Sequence, residues 1–269
     1  MKNKIYFSYY KKIPESNSVT VAAQDFIKGI RSDLSALIST LPCFLIFSVM
    51  AFFPLPSPAS GVLPETTVLV IDEIQKGGSI NVKNTENVPV LLYTKVVDLP
   101  DDPTPKLIVT QPVARLEPGQ SQRVRFVLSN DGPLQHEHIK RVHFEGVAEQ
   151  TASGSQISVT VRHDLPVIIV PKKLTAQRKM WNDLNWSVNG ETLKVTNTGK
   201  HVVRLRPQLR LLPVGTALSL SKSYILPGET LTVIVPAGTS LSERRQVEFS
   251  PVTRYGFDAG LQKASLSER

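Results

Sequence analysis

The chain has 269 residues, of which 41% are hydrophobic and 20% charged, with a formal net charge of +8. This composition supports a packed core and excludes a wholly disordered chain, and the length allows one large domain or two of ordinary size. The positive charge is scattered, without the basic blocks and interleaved aromatics of a nucleic-acid surface, so nucleic acid is not expected as a partner.

The first sixty residues stand apart from the rest. Lys2, Lys4, Lys11, Lys12, Lys28 and Arg31 outnumber Glu15, Asp25 and Asp33, and an apolar run from Leu41 to Phe53 follows. It gives way to the helix-breaking, small-residue stretch Pro54-Leu55-Pro56-Ser57-Pro58-Ala59-Ser60-Gly61. A basic region, a short apolar core and a small-residue exit predict a secretory signal peptide over residues 1–61, with an unusually long basic region and cleavage near Ala59 to Gly61. The apolar run falls short of the roughly twenty residues that a membrane-spanning helix needs. Cys43, the one cysteine, lies inside it. The exported chain therefore forms no disulfide and relies on its core alone. After residue 61, 25 basic and 20 acidic residues remain, a mild excess that fits a solvated surface.

From Glu65 onward the chain predicts strand after strand. Thr66 to Ile71 is apolar and β-branched, Gly77-Gly78 interrupts, and Ile80 and Val82 alternate with polar neighbours. Pro89 to Val97 is the next run, closed by the turn-forming cluster Asp98 to Pro103. Leu107 to Val109 and Val113 to Leu116 lead to the turn Glu117-Pro118-Gly119-Gln120. Val124, Phe126 and Leu128 alternate with Arg123, Arg125 and Val127; Val142 and Phe144 alternate with Arg141, His143 and Glu145. Ile157, Val159 and Val161 then lie at period two, and Val167 to Val170 is continuously apolar, as in a strand covered on both faces, before Pro171 ends it. The residues alone fit either an ordinary strand facing its own core or a strand able to complete another protein's sheet.

Pro171 to Thr175 marks the exit from a first domain. Trp181 and Trp186 are expected in the core of a second, whose runs are Glu191 to Val195, His201 to Leu212, Thr230 to Val235 and Arg245 to Phe249. Leu226-Pro227-Gly228-Glu229 repeats the pattern of Leu116-Glu117-Pro118-Gly119. Long helical periodicity is absent. The expected class is all-β, with two tandem β-sandwich domains over residues 62–174 and 175–269.

Three segments in this order resemble the periplasmic pilus chaperones of the chaperone–usher system: Ile80 to Thr85, Pro112 to Gln120, and Ile157 through Val161 to Pro171. The similarity covers roughly residues 62–262. It implies two immunoglobulin-like domains set at an angle and a chaperone that lends a strand to pilus subunits before passing them to an outer-membrane usher. Affinity in such β-augmentation comes from main-chain hydrogen bonds and fit from alternate side chains. The resemblance puts Ile157, Val159 and Val161 at the subunit-binding positions, implies a periplasmic location, and leaves a self-capping homodimer open to the free protein. The short loop Gly146 to Gly154 is similar to that of chaperones for rod-type and adhesive-tip pili.

The chain departs from the family in the cleft between the domains. Where the resemblance implies a basic pair that anchors the subunit's terminal carboxylate, this sequence has Val68 and Pro166. Arg162 is the nearest basic side chain on the same strand; it reaches the cleft, as a subunit-binding residue, only with a slip or bulge around Asp164 to Pro166, and otherwise is a solvated strand residue or a partner of Asp164. The resemblance also implies an ion network between the domains. Its acidic member aligns with Glu137, while its other positions read Val170 and Arg254.

His136-Glu137-His138 offers a pair of metal-ligating side chains, but no third ligand at a useful spacing, so no metal and no cofactor is expected. Nucleophile elbows, phosphate loops and zinc-protease motifs are missing from the sequence, and an enzyme is not expected. A secreted β-sandwich adhesin without strand donation is the competing function.

Overall fold

The computed structural model describes residues 61–148, 160–189, 192–236 and 246–268; the expected signal segment, residues 1–60, and the positions of Ile157 and Val159 lie outside them. Nine strands build the first sandwich: β1 (Val62–Pro64), β2 (Leu69–Asp72), β3 (Gly77–Asn84), β4 (Val90–Val97), β5 (Lys106–Val109), β6 (Val113–Leu116), β7 (Ser121–Ser129), β8 (His138–Ala148) and β9 (Arg162–Val170). The expected strand from Thr66 to Ile71 begins only at Leu69. Thr160 and Val161, at the end of the period-two run, precede β9 and belong to no strand.

The hydrogen-bonded path runs β5-β7-β3-β2-β9-β8-β4-β6, with β1 also on β3. At its middle, β2 and β3 meet only through Asp72 and Gly77, so the path folds there into two layers. Gly77 has φ 154°, and a Cβ on it would run into the Phe126 carbonyl; only glycine permits β3 to approach β7 at this corner. Period-two alternation then sends one row of each strand inward. Leu69 and Ile71, Ile80 and Val82, Val90 and Leu92, Val124 and Phe126, and Val142 and Phe144 share one core.

The second sandwich opens with a 3-10 turn, Met180–Asp183, that the sequence pattern does not reveal. Strands β10 (Leu184–Asn189), β11 (Thr192–Asn197), β12 (Val203–Leu212), β13 (Thr216–Ser219), β14 (Tyr224–Ile225), β15 (Thr230–Ile234), β16 (Gln246–Val252), β17 (Gln262–Ser265) and β18 (Ser267–Glu268) follow. They form one sheet in the order β15-β11-β10-β18 and another in the order β13-β12-β16-β17, with β14 beside β12. Trp181 and Trp186 are both buried in the core between them, Trp186 with its ring 5.3 Å from that of Phe249.

Each sandwich closes on the same polar latch. Asn84, fully buried at the end of β3, donates its side-chain amide to the carbonyls of Val88, Leu116 and Glu117, and its side-chain oxygen accepts from the Glu86 amide. Asn197, at the end of β11, donates to His201 and Ile225 and accepts from Gly199. Backbone bonds tie Asn84 to Gly119 and Gln120, and Asn197 to Gly228 and Glu229. The two Pro-Gly turns seen in the sequence are therefore the two docking points of these asparagines.

Replacing Asn84 by alanine strands three carbonyl groups near the core. Asn84→Ala is expected to lower the unfolding free energy by about 1–3 kcal/mol, read from urea denaturation. An unchanged midpoint and slope would contradict the latch.

Candidate functional site: an open strand edge beside a domain junction

β9 has two different neighbours along its length. On one side β8 pairs with it from Arg162 to Ile169 in an unbroken antiparallel register, His138 opposite Ile169 and Glu145 opposite Arg162. On the other side β2 runs parallel to it, but only from Val167 to Val170. Among the described residues, Arg162 to Pro166 therefore have no strand on the β2 side. Their backbone groups along that edge are a template for another strand.

The side chains alternate as the pattern requires. Leu165, Val167 and Ile169 enter the core of the first sandwich, while Arg162, Asp164 and Pro166 lie on its outer face. Ile168 also belongs to the outer face, yet it is buried in a small cluster with Val68, Ile139 and Val202 of the second sandwich. This is why the sequence turns continuously apolar after Val167: the second domain covers the outer face there.

Val161 is 41% exposed, beyond the end of the core, and a Cβ on Gly61 would sit 3.9 Å from its own. Arg162 pairs across the ladder with Glu145, Nε to Oε2 at 3.1 Å, and its side chain is 59% exposed. The slip or bulge that Arg162 would need around Asp164 to Pro166 is not present: the β8 ladder passes through these residues in continuous register. Arg162 therefore stays four residues from Pro166, roughly 13 Å along the strand, and does not reach the junction.

At the junction Glu137 is 1% exposed. Its Oε1 lies 2.5 Å from Arg254 Nη2, its Oε2 accepts the Val202 amide at 3.0 Å, and its own amide donates to the Lys200 carbonyl. Burial pushes its carboxyl up, and the charges of Arg254 and His201 with the Val202 amide only partly offset this. The ion pair across the domains thus takes its cation from Arg254, while Val170 joins the apolar cluster instead of carrying charge.

A second clasp was not legible in the sequence. Asp101, in the turn after β4, accepts from Lys222 and, at 2.9 and 3.0 Å, from the Tyr224 hydroxyl; Lys222 also lies 2.6 Å from Glu229 and 4.3 Å over the Tyr224 ring. Burial works to raise the Asp101 carboxyl, but the Lys222 and Tyr224 hydrogen bonds and the Lys222 charge together hold it below its ordinary value. Burial, with the Asp101 carboxylate next, pushes the Tyr224 hydroxyl well above its usual range.

The same turn binds the base of β8. The Asp102 carboxylate meets His138 Nδ1 at 2.8 Å and the Ile139 amide at 2.7 Å. Lys140 is fully buried, donates to the Asp102 carbonyl and lies 3.5 Å from Asp98 Oδ1. Burial lowers its pKa, against the attraction of Asp102 and Asp98. His138 is thus committed to Asp102, and among the described residues no group of three or more His, Cys, Asp or Glu could hold a metal ion.

Comparison with known proteins gives this geometry a family. Residues 61–175 match the family model of the N-terminal domain of pili and flagellar-assembly chaperones. The chain is 41% identical over 214 residues to the uncharacterized fimbrial chaperone YhcA of Escherichia coli (strain K12), covering 79% of this chain and 94% of that one. The fold is that of the SafB chaperone, solved in complex with the SafA pilin of Salmonella enterica (TM-score 0.62, 19% identity, 78% of this chain and 98% of that one). It is likewise that of the E. coli chaperone DraB (TM-score 0.60, 21% identity, 76% and 97%). The chain belongs to the fimbrial assembly chaperone family.

Two outcomes test the junction. Arg254→Ala leaves a buried carboxylate uncompensated and is expected to cost about 3–5 kcal/mol, whereas Glu137→Leu with Arg254→Met recovers most of it. Denaturation curves of the three proteins decide this, and a single-mutant loss below about 1 kcal/mol contradicts it. Because the folded-state pKa of Asp101 is depressed, its contribution is complete above the ordinary carboxylate value, about 3.9, and is lost as pH falls through the lower folded value. The stability difference between wild type and Asp101→Asn is therefore expected to stay constant from neutral pH to about 5 and to shrink below about 4. A difference that shrinks with rising pH contradicts the clasp.

Proposed function

We propose that this fimbrial assembly chaperone acts in the periplasm, holding pilus subunits by lending them the edge of β9 together with the residues that precede it. The observation that carries this reading is the edge from Arg162 to Pro166, which β8 fixes on one side and nothing among the described residues covers on the other. Counting back by twos from Leu165, the core residue of β9 nearest its start, the sequence places His163 and then the apolar Val161, Val159 and Ile157. Apolar side chains in that position suit the core of a partner that lacks a strand. The SafB chaperone, solved with a pilin, shares the fold.

In this account residues 62–174 form the strand-lending domain and residues 175–269 the second domain, which closes the junction. Residues 1–61 direct export. Subunits are passed on to an outer-membrane usher, and the chemistry is binding, not catalysis. Without a subunit the same edge is open to pairing with a second copy of the chain. On the other side of β9 from this edge, across β8, the same sheet carries an exposed apolar patch: Leu91 faces Val147 across β4 and β8, and Tyr93 faces Val113 across β4 and β6. An adhesin would need no uncovered strand edge, so that alternative is not favoured.

Periplasmic co-expression with a fimbrial subunit tests the reading. The wild-type chain is expected to co-purify with it one to one. Val159→Asp places a charge in the subunit's core, which at a cost of several kcal/mol weakens the complex by roughly a hundredfold or more while leaving the free chaperone's melting temperature unchanged. Retention of the subunit by Val159→Asp at wild-type strength overturns strand donation.

A further inference from the structure

One apolar feature of the second sandwich belongs neither to a core nor to the edge of β9. The turn between β16 and β17 carries Tyr255 and Phe257, which are 65% and 71% exposed on either side of Gly256. Its backbone is closely tied. The Gly256 amide donates to the Thr253 carbonyl at 3.0 Å, the Thr253 amide to the Phe257 carbonyl at 2.8 Å, and the Phe257 amide to Thr253 Oγ1 at 3.1 Å. Arg204 Nη2 donates to the Thr253 and Arg254 carbonyls, and Arg206 Nη2 lies 2.8 Å from Asp258 Oδ2. These bonds fix the turn without either ring. Two large apolar side chains held in water by a rigid backbone mark a contact surface.

The turn stands beside the open edge. Gly256, with φ 90°, brings its backbone close to the first sandwich: a Cβ built on it would lie 3.2 Å from both Thr67 Oγ1 and Val68 Cγ2. Val68 immediately precedes Leu69, where β2 joins β9 opposite Val167. A strand laid along the edge from Arg162 to Pro166 therefore ends beside Val68, against which the turn is packed. At that end β9 has no apolar side chain to spare for a partner. Leu165 and Val167 are taken into the protein's own core, and Arg162, His163 and Asp164 are polar.

A subunit that lacks a strand exposes core side chains along both borders of the gap, and a lent strand fills the gap without covering its rim. We propose that Tyr255 and Phe257 form a second contact for the bound subunit, covering apolar side chains on the rim of its open core at the end toward the second sandwich. The proposal rests on the strand-lending reading above and gives the second sandwich a part in holding the subunit. The contact is made by side chains alone, because the amides of Thr253, Gly256 and Phe257 are already bonded within the turn. Aromatic rings suit the task, since they supply a large contact area at a small cost in side-chain entropy.

The test uses the full chain with one co-expressed fimbrial subunit. Tyr255→Ser combined with Phe257→Ser is expected to weaken the complex roughly 10- to 100-fold, as for the loss of two aromatic contacts, with the free chaperone's melting temperature unchanged. Ile234→Ser, which removes an exposed apolar side chain from β15 in the other sheet, is expected to bind as wild type does. In the wild-type complex, hydroxyl-radical labelling of Tyr255 and Phe257 is expected to fall several-fold against the free chain, and this readout decides even where the serine variant folds poorly. Unchanged labelling, or wild-type affinity in the double serine variant, overturns the second contact, and strand lending stands if Val159→Asp still loses the subunit. Protection that appears in the free chain as its concentration rises, with no further change on subunit binding, assigns the turn to a second copy and also overturns the proposal. If the wild-type chain holds no subunit, the strand-lending reading fails, and the second contact fails with it.

Discussion

Glu137 is buried at the seam between the two sandwiches, and its carboxylate is stable there because Arg254 and the Val202 amide meet its two oxygens. Removing such a charge from water costs several kcal/mol, a cost that only a well-placed partner offsets. The pair therefore constrains the domains more than it stabilises them. With Glu137 satisfied, Val202 is brought onto Ile139, Ile168 and Val68, and the outer face of β9 is covered at one end. Beside the same apolar cluster, Asp101 holds Lys222 and Tyr224. Two polar clasps around an apolar patch fix both the position of the second domain and the point at which β9 becomes accessible.

That point organises the functional surface. Toward Val170, β9 is an interior strand, paired on both edges and covered on both faces; toward Arg162 it is paired on one edge only. A protein that exposed such an edge without need would risk adventitious pairing, so an open edge held against a rigid junction is a feature to be explained by a partner. The first domain supplies both the open backbone edge and β2, which occupies that edge from Val167 onward, while the second domain covers the outer face at Ile168.

The fold was largely legible because period two is a strong signal. Val124, Phe126 and Leu128, or Val142 and Phe144, announce their inward rows without any knowledge of their neighbours. The shift to a continuous apolar run at Val167 was legible too, since Ile168 needs cover on the outer face. The clasps were not. Asp101 lies in a turn that reads as solvent-exposed, and its partners are 121 and 123 residues away. Lys140 falls in the same row as Val142 and Phe144, where an apolar residue is expected, and only the turn at Asp98 to Asp102 explains a fully buried lysine there. Arg162, by contrast, drew attention by sequence proximity alone, and the unbroken β8 ladder shows that proximity along a strand is not proximity to the junction.

Amide hydrogen exchange on the chaperone, free and bound to a fimbrial subunit, measures the central claim most directly. Slowed exchange confined to the residues from about 157 to 165, with the amides of Val167 to Val170 equally protected in both states, is the result expected if a subunit strand takes the open edge and stops at β2. Unchanged exchange along that edge, with new protection elsewhere on the molecule, would contradict it.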